Sequence, residues 1–380
     1  MTTEEVLTRG VQQVLPNKDG LLSLMSKRKI KLYQGFDPSA PSLHLGNFVG
    51  LMKLRQFQKL GHEVIFLVGD FTGMIGDPTD KLATRTKLTR EQVLENAKKW
   101  KEQASMLLNF EGENAAKIMF NSKWLDKVSF KDLIEITSNF TVQQMMERDM
   151  FQARLKNNEP IYLHEFLYPV AQAMDSVDME VDLEIGGNDQ LFNMMAGRTL
   201  IKATKSKEKY VLTTKLLVDA DGKKVGKTTG NALFLDSKPE EFYAGVMSFQ
   251  DEVIELGFEL LTEESVEGLD KKISEDPMRE KKRLAFEIVK LLWGEKDAKN
   301  AEESFEKTFQ EKKPEYEDEI VNRGNLIDTL EKIVGSKSEV KRMINQGAVD
   351  INGEKVNDSS MELKSGDKIN LGKRRFLKVI

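Results

Sequence analysis

Short apolar segments alternate with amphipathic segments through the first half of the chain. Segments with apolar residues three or four apart predict helices near 46–60, 89–109, 162–177 and 189–204. Runs rich in β-branched and aromatic residues between them predict four strands: Lys29–Gly35, Glu63–Asp70, Lys117–Ser122 and Asp182–Gly187. This alternation predicts an α/β fold with a Rossmann-like, doubly wound parallel sheet, in which ligands bind at the carboxyl ends of the strands.

The pattern changes after about residue 238, where helical periodicity continues without strand signals, as in Met278–Trp293. The stretch Glu311–Glu319 is charged, contains proline and has no periodicity, which is typical of a linker. Beyond it, a predicted helix over Ser336–Gln346 is followed by Asn352-Gly353, a pair that favours a tight hairpin. We therefore predict domains over residues 1–232, 233–312 and 323–380, with a linker over 313–322.

Composition narrows the class of protein. The chain has 380 residues and 39% hydrophobic residues, enough for more than one core. It has no cysteine, and its three histidines lie far apart, so we expect no metal site. No apolar run is long enough to cross a bilayer, and the first residues do not have the pattern of a signal peptide. We expect a cytoplasmic protein.

Charge is distributed unevenly along the chain. Residues 323–380 contain 12 Lys and Arg against 8 Asp and Glu, whereas the net charge of the whole chain is −5. A basic C-terminal segment after an acidic remainder of the chain indicates a polyanionic partner that contacts the C-terminal segment alone. A net charge of this size is also common on solvated protein surfaces.

The first candidate for chemistry is the segment from Tyr33 to Asn47, YQGFDPSAPSLHLGN. A predicted strand enters a loop of Gly, Pro and Ser and leaves as a helix that begins near His44. Such a loop offers backbone N–H groups and a helix N-terminus to a phosphate, and Gly46 allows close approach of a nucleotide. An ordinary strand-to-helix turn is the alternative interpretation.

HLGN in this setting resembles the HIGH signature of class I aminoacyl-tRNA synthetases, and the framing residues resemble those of the tyrosyl enzymes. The segment KKVGKTTGN, residues 223–231, is similar to the mobile KMSKS loop of that class. The resemblance implies that the loop stabilises the pyrophosphate electrostatically. Asn47 in place of the second histidine and Val225-Gly226 in place of Met-Ser depart from the two signatures. The implied catalytic residues are His44, Asn47, Lys224, Lys227 and Thr228.

A polar stripe on the predicted helix 162–177 gives the third motif. Tyr168, Gln172 and Asp175 stand at i, i+4 and i+7, which places them on one side of a helix. Spacing alone is equally consistent with a solvated face. The stripe resembles the Tyr-x3-Gln-x2-Asp of tyrosyl enzymes, which implies that Tyr168 and Gln172 contact the substrate ammonium, and that Asp175 and Tyr33 contact its phenol.

Two further segments are similar to motifs of this family. The likeness of residues 71–85, FTGMIGDPTDKLATR, implies that Asp77 binds the substrate ammonium. The likeness of residues 184–190, EIGGNDQ, implies that Asp189 holds the ribose of ATP. Glu184 stands where many tyrosyl enzymes have glutamine. The implied tyrosine-binding residues are Tyr33, Thr72, Asp77, Asn121, Tyr168, Gln172, Asp175 and Gln190. The implied ATP-binding residues are Gly35, Asp37, Ser39, His44, Gly46, Asn47, Lys81, Arg85, Gly186, Gly187, Asp189 and Lys227.

The C-terminal module resembles a small RNA-binding domain shared with a ribosomal small-subunit protein. This likeness implies contacts to RNA phosphates; a structural hairpin with a solvated basic end is the alternative. The implied RNA-binding residues are Lys341, Arg342, Lys373, Arg374 and Arg375.

Together these resemblances imply a homodimeric ligase that activates L-tyrosine with ATP and Mg²⁺ and transfers it to tyrosine tRNA. They also imply that residues 233–312 serve the anticodon region of the tRNA. Three alternatives stay open: a tryptophanyl-type synthetase, a nucleotidyltransferase such as the ligase that makes pantothenate, and an RNA-binding scaffold without catalysis.

Overall fold

The computed structural model describes residues 1–77, 88–225, 232–310, 316, 318–356, 358–372 and 375–380. By its contacts the chain divides into two compact units. Unit 1 is Met1–Asp236 with Gln250–Pro277, and unit 2 is Ser237–Phe249 with Met278–Ile380. The first change of unit lies close to the predicted boundary after residue 232, but residues 250–277 group with unit 1, outside the helical domain predicted for 233–312.

Unit 1 contains a six-stranded sheet. Its strands are β1 (Val11–Leu15), β2 (Lys31–Phe36), β3 (Glu63–Val68), β4 (Lys117–Phe120), β5 (Leu183–Gly187) and β6 (Tyr210–Thr214). They lie in the order β1-β6-β5-β2-β3-β4; β1 is antiparallel to β6, and the other pairs are parallel. The doubly wound parallel sheet is thus confirmed, with β1 and β6 added to the four predicted strands. The order reverses between β2 and β5, and such a switch point opens a crevice for ligands.

Helices connect these strands. They are α1 (Thr3–Val6), α2 (Lys18–Lys27), α3 (Leu45–Lys59), α4 (Thr72–Ile75), α5 (Arg90–Ala97), α6 (Trp100–Ser105), α7 (Ser122–Leu125), α8 (Phe130–Thr137), α9 (Val142–Met146), α10 (Asp149–Lys156), α11 (Leu163–Met179) and α12 (Leu191–Lys205). The central strands carry apolar side chains buried on both faces, such as Ile65, Phe66 and Leu67 of β3. This packing fixes the strand ends at which the predicted site residues stand.

Residues 237–310 form helices, as their periodicity predicts. These are α13 (Pro239–Met247), α14 (Ile254–Leu261), α15 (Leu269–Glu275), α16 (Pro277–Trp293) and α17 (Glu295–Phe305). On α16, the apolar stripe of Leu284, Ile288 and Leu292 is buried. Across the described ranges, no helix combines the length and the apolar character needed to cross a membrane.

The C-terminal part of unit 2 is a small α+β module. It comprises β7 (Asp318–Ile320), α18 (Leu326–Val334), α19 (Lys337–Asn345), β8 (Val349–Ile351), β9 (Glu354–Lys355), β10 (Lys368–Leu371) and β11 (Arg375–Val379). Strand β7 pairs with β11, so the end of the predicted linker is a strand. Asn352 and Gly353 both have positive φ, at 52° and 89°, and join the antiparallel strands β8 and β9. The predicted hairpin is therefore confirmed.

Candidate active site

The carboxyl ends of the parallel strands carry most of the predicted site residues of unit 1. Asp37 follows β2, Thr72 lies in the turn after β3, Asn121 follows β4 and Asp189 follows β5. Because these strands are parallel, the four residues meet at one edge of the sheet, around its switch point.

Asp175 lies buried at the inner end of this edge, with an exposed fraction of 2%. Its Oδ1 accepts a hydrogen bond from Trp124 Nε1 at 2.9 Å, and its Oδ2 lies 3.4 Å from the Asn121 amide nitrogen. Burial raises the pKa of the Asp175 carboxyl well above its usual range, against the lowering effect of these two donors. Tyr33 is also fully buried, and its hydroxyl lies 3.1 Å from Ser176 Oγ.

A second acid, Asp37, holds two predicted tyrosine-binding residues. Its Oδ1 accepts from the Thr72 hydroxyl at 2.6 Å and its Oδ2 from the Tyr168 hydroxyl at 2.7 Å. Loss of water around the carboxyl raises the pKa of Asp37 to about 7, with the two hydroxyl donors opposing the shift. A Cβ at Gly69 would lie 2.0 Å from Asp37 Oδ1, so only glycine leaves room for this arrangement.

Asp77 is oriented by an amide and faces a guanidinium. Its Oδ2 accepts from Gln190 Nε2 at 2.6 Å, and Gln190 Oε1 accepts from Asn193 at 2.9 Å. On the other side of Asp77, Arg148 Nη2 lies 3.7 Å from Asp77 Oδ1, and the Arg148 guanidinium lies over the rings of Phe151 and Phe192. The aspartate and glutamine that the sequence places in the pocket are thus brought together.

His44 and Asn47 form the N-terminal cap of α3. Asn47 N–H donates to His44 Nδ1 at 3.2 Å, and His44 N–H donates to Asn47 Oδ1 at 2.9 Å, a reciprocal capping box. With Nδ1 as the acceptor, a neutral His44 ring carries its proton on Nε2. The departure from the second histidine of the signature therefore has a structural role, because the Asn47 amide completes the cap. A Cβ at Gly46 would lie 2.8 Å from His44 Cε1, so Gly46 makes room for the ring.

The glycines and the serine of the predicted nucleotide site lie at the ends of β2 and β5. Among the described residues, a Cβ at Gly35 would meet Leu67 Cδ2 alone, at 3.8 Å, which leaves space for a ligand at this strand end. Ser39 N–H donates to the Asp37 carbonyl at 2.7 Å. At the end of β5, a Cβ at Gly187 would lie 2.5 Å from Asp189 Oδ1, so the aspartate packs directly against the strand. Gly186 precedes it on the same strand.

The two signature segments are tied to each other through the backbone. Leu45 N–H donates to the Leu233 carbonyl and Leu235 N–H to the Leu43 carbonyl, each at 2.8 Å. At the start of the lysine loop, Lys224 Nζ donates to Asp189 Oδ2 at 2.5 Å. The chain therefore enters the loop beside the predicted ribose-binding acid and leaves it beside His44. Four predicted residues of the phosphate side, Lys81, Arg85, Lys227 and Thr228, lie outside the described residues.

Sequence analysis missed four buried residues that hold the pocket: Trp124, Arg148, Ser176 and Lys209. Trp124 and Ser176 contact the phenol-binding candidates directly, and Lys209 pairs with Glu184. No local motif marks them, because each contributes through a partner distant in sequence. The sequence offers one signal for these residues: the hydrophobic periodicity of the segments around them could have suggested that they are buried.

In unit 2, the predicted RNA-binding residues Lys341 and Arg342 are exposed on α19. Arg342 also pairs with Glu339 one turn away, and Arg375 of β11 lies 3.3 Å from Glu241 of α13. Lys373 and Arg374 lie outside the described residues. Lys341 is thus exposed to solvent, whereas Arg375 forms an ion pair with a helix of the same unit.

Comparison with known proteins decides the family. A family model described as tRNA synthetases class I (W and Y) matches residues 25–310, and an S4 domain model matches residues 331–369. The tyrosine–tRNA ligase of Aquifex aeolicus is 42% identical over 393 aligned positions and covers 100% of both chains. The chain belongs to the tyrosine–tRNA ligase family.

Other members of the tyrosine–tRNA ligase family show the same relationship. The tyrosine–tRNA ligase of Thermotoga maritima is 41% identical and covers 100% of this chain and 98% of its own. Among solved structures, a C-terminally truncated mitochondrial tyrosyl-tRNA synthetase of Coccidioides posadasii superimposes with a TM-score of 0.63 at 27% identity. That alignment covers 78% of this chain and 89% of the other. The strand-end residues described above therefore lie in a synthetase catalytic fold.

Proposed function

We propose that the protein is a tyrosine–tRNA ligase. It joins the carboxylate of L-tyrosine to the α-phosphorus of ATP, releasing pyrophosphate, and then passes the tyrosyl group from AMP to the terminal ribose of tyrosine tRNA. The observation that carries the proposal is the membership of this family over the whole chain. The burial of Asp175 and Tyr33 in the proposed pocket supports it. A buried polar pair of this kind fits a phenol and penalises a ligand without one.

In the proposed pocket, Asp175 and Tyr33 contact the phenol, while Tyr168, Gln172 and Asp77 contact the ammonium. The other pocket residues orient these groups through the hydrogen bonds described above: Thr72, Asn121 and Gln190. Bound this way, the substrate presents its carboxylate toward the nucleotide, and binding energy is used for positioning. The reaction then needs no covalent enzyme intermediate.

The nucleotide lies, in this proposal, along the ends of β2 and β5. Asp189 holds the ribose, and His44 donates from Nε2 to a phosphate at the N-terminus of α3. Lys224 and the loop lysine Lys227 stabilise the charge that develops on the leaving pyrophosphate. The remaining ATP-binding candidates are Gly35, Asp37, Ser39, Gly46, Asn47, Lys81, Arg85, Gly186 and Gly187.

Mg²⁺ enters this scheme with ATP, as a cation bound to the leaving phosphates. Among the described residues no group of three or more His, Asp or Glu has the arrangement of a metal site, so the phosphates themselves are its proposed ligands. When bound, the ion neutralises charge on the pyrophosphate.

The S4 domain of unit 2 is the proposed RNA-contacting module. Lys341 supports this assignment because it is exposed on α19, where a basic side chain can reach a phosphate. We expect Lys341→Glu to weaken tyrosine tRNA binding and to lower the salt dependence of binding, with adenylate formation unchanged. Lys98→Glu, at an exposed lysine immediately after α5, is the matched control, and equal loss in both variants would contradict the assignment.

A second copy of the chain is the proposed partner of an apolar surface on unit 1. Phe130 and Ile134 on α8 are 79% and 56% exposed, Val142 on α9 is 71% exposed, and Leu163 on α11 is 79% exposed. Surfaces of this kind mark protein interfaces. We expect a homodimer in sedimentation equilibrium and a monomer for Phe130→Glu with Ile134→Glu; a wild-type monomer would contradict the proposal. The site of action we propose is the cytoplasm.

ATP–pyrophosphate exchange with each of the twenty amino acids, without tRNA, tests the activity. We expect exchange with tyrosine alone. Exchange with tryptophan would favour the tryptophanyl alternative, and exchange with pantoate, assayed in the same way as the amino acids, would favour the pantothenate ligase. No exchange with any substrate, together with RNA binding, would favour the scaffold.

A further inference from the structure

A buried ion pair lies behind the proposed tyrosine pocket and has no part in the activity described so far. Lys209, immediately before β6, pairs with Glu184 of β5; the side chains are 0% and 2% exposed. Glu184 stands opposite Tyr33 in the register of β5 and β2. A buried ion pair is costly to desolvate and stabilises a fold little, so its position next to the pocket calls for a functional explanation.

The ammonium of Lys209 is fully satisfied. It donates to Glu184 Oε2, to Ser176 Oγ at 2.8 Å and to the Met194 carbonyl at 3.1 Å, which engages all three of its N–H donors. Gly197 of α12 provides the space, because a Cβ there would lie 2.5 Å from Lys209 Nζ. These contacts tie the Lys209 ammonium to β5, α11 and α12 behind the pocket.

Paired with Lys209, Glu184 presents its Oε1 to Gln172 as an acceptor, and this determines which way the Gln172 amide is turned. Gln172 Nε2 donates to Glu184 Oε1 at 2.9 Å. The NH₂ branch of the amide therefore faces the ion pair, and its carbonyl oxygen faces the other way. A carbonyl oxygen accepts from a substrate ammonium, whereas an NH₂ group in its place would repel one.

The same ion pair holds Ser176, which lies one turn after Gln172 on α11. Ser176 Oγ accepts from Lys209 and lies 3.3 Å from Glu184 Oε2 and 3.1 Å from the Tyr33 hydroxyl. When Lys209 is replaced, Ser176 keeps its contact with the Tyr33 hydroxyl at the phenol end, whereas the orientation of the Gln172 amide depends on Glu184.

We propose that Lys209 and Glu184 are positioning residues for bound tyrosine, fixing the Gln172 amide with its carbonyl oxygen toward the substrate ammonium. The inference rests on the proposed function, since it assigns a role within that pocket. Without Lys209, the Glu184 carboxyl loses the ion pair that holds it in place behind the pocket. The amide of Gln172 is then free to turn, and recognition of the ammonium is lost while the remainder of the pocket is retained.

Lys209→Met tests the proposal through ligands that differ only in the ammonium. Tyramine carries the phenol and the ammonium, and 2-(4-hydroxyphenyl)ethanol carries a hydroxyl in place of the ammonium on the same carbon chain; both are measured as competitors of tyrosine in ATP–pyrophosphate exchange. We expect the variant to raise the KM for tyrosine and the Ki for tyramine about tenfold or more, as for a buried group left without its partner. The KM for ATP and the Ki for the alcohol should stay near their wild-type values.

Rescue and control variants separate positioning from a general loss of packing. Lys209→Met with Glu184→Gln replaces the unpaired acid by a neutral amide whose carbonyl oxygen can still accept from Gln172 Nε2, and we expect it to restore most of the affinity for tyramine. Asp182→Asn breaks two ion pairs immediately before β5, since the buried Asp182 lies 2.7 Å from Arg28 and 3.0 Å from Lys207. This control should leave both competitors unchanged. Should Lys209→Met fail to fold, Lys209→Gln removes the charge with a smaller change in polarity, and the same shifts are expected.

Equal weakening of tyramine and the alcohol, or unchanged binding of both, would overturn the inference. So would failure of Glu184→Gln to rescue Lys209→Met. The wild-type enzyme is assayed first: absence of its tyrosine-dependent exchange would overturn the proposed function instead, so the two failures are distinguishable.

Discussion

The two halves of the proposed site are built in different ways. In the tyrosine half, Asp175 is 2% exposed and its carboxylate is held by Trp124 and Asn121. In the ATP half, Asp189 and Lys224 pair at 2.5 Å with side chains 28% and 43% exposed. One half is a closed network of side chains, and the other combines glycines, a helix cap and a solvated ion pair.

This difference has a physical consequence for specificity. Side chains without access to water cannot replace a lost partner, so a ligand lacking one polar group leaves an unpaired group in the tyrosine half. In the ATP half, water compensates for a missing contact and screens charge. We therefore expect substitutions in the first half to act strongly on tyrosine alone, and those in the second to act moderately on ATP.

The largest effect is expected from Asp175→Ala. It removes the proposed phenol acceptor and leaves the Trp124 indole N–H and the Asn121 amide without their partner. We expect kcat/KM for tyrosine to fall on the order of a hundredfold, with the KM for ATP nearly unchanged. ATP–pyrophosphate exchange with each substrate varied in turn measures both. Survival of efficient tyrosine-dependent exchange would remove Asp175 from the pocket.

Trp124→Phe should give a smaller change in the same direction. The substitution keeps an aromatic ring in the core but removes the 2.9 Å hydrogen bond to Asp175 Oδ1. We expect kcat/KM for tyrosine to fall about tenfold. Trp100→Phe, at a buried tryptophan of α6, is the matched control for aromatic replacement. Equal losses in the two variants would mean that packing, and not orientation of Asp175, limits activity.

Asp189→Asn tests the ATP half. The substitution weakens the proposed ribose contact and the pair with Lys224, both partly exposed. We expect the KM for ATP to rise about fivefold and the KM for tyrosine to change little, because water replaces part of the lost interaction. A dominant effect on tyrosine would contradict the division of the site into two halves.

A separate effect concerns pH and the stability of the fold. The pKa of Asp37 is raised from 3.8 to about 7, so the folded state binds its proton more tightly than the unfolded state does. Stability from this group is present below about pH 4 and is lost as pH rises toward 7, because folding then requires a buried charge. We expect the urea concentration at the unfolding midpoint to fall for the wild type, relative to Asp37→Asn, as pH rises from 4 to 7. Above pH 7 the difference between the two midpoints should stay constant. Parallel midpoints throughout would show that Asp37 ionises normally.

The sequence predicted the chemistry-bearing residues because each motif is continuous. The stripe of Tyr168, Gln172 and Asp175 is set by the helical repeat, and His44 with Asn47 forms its cap within four residues. Strands β1 and β6 were missed, since VQQVL and YVLTT are short and their polar residues weaken the alternation that marks a strand. The hairpin at Asn352-Gly353 was predicted because its turn chemistry is local.

By itself, the sequence determined the α/β class, the order of the motifs and the family. Only the tertiary structure decided which of these motifs meet and what holds them. Trp124 bonds to Asp175 across 51 residues, and Lys209 reaches Glu184 across 25. Helical repeat, caps and turns depend on backbone geometry within a few residues, whereas a buried hydrogen bond between distant side chains exists only after the sheet and its covering helices exclude water around it.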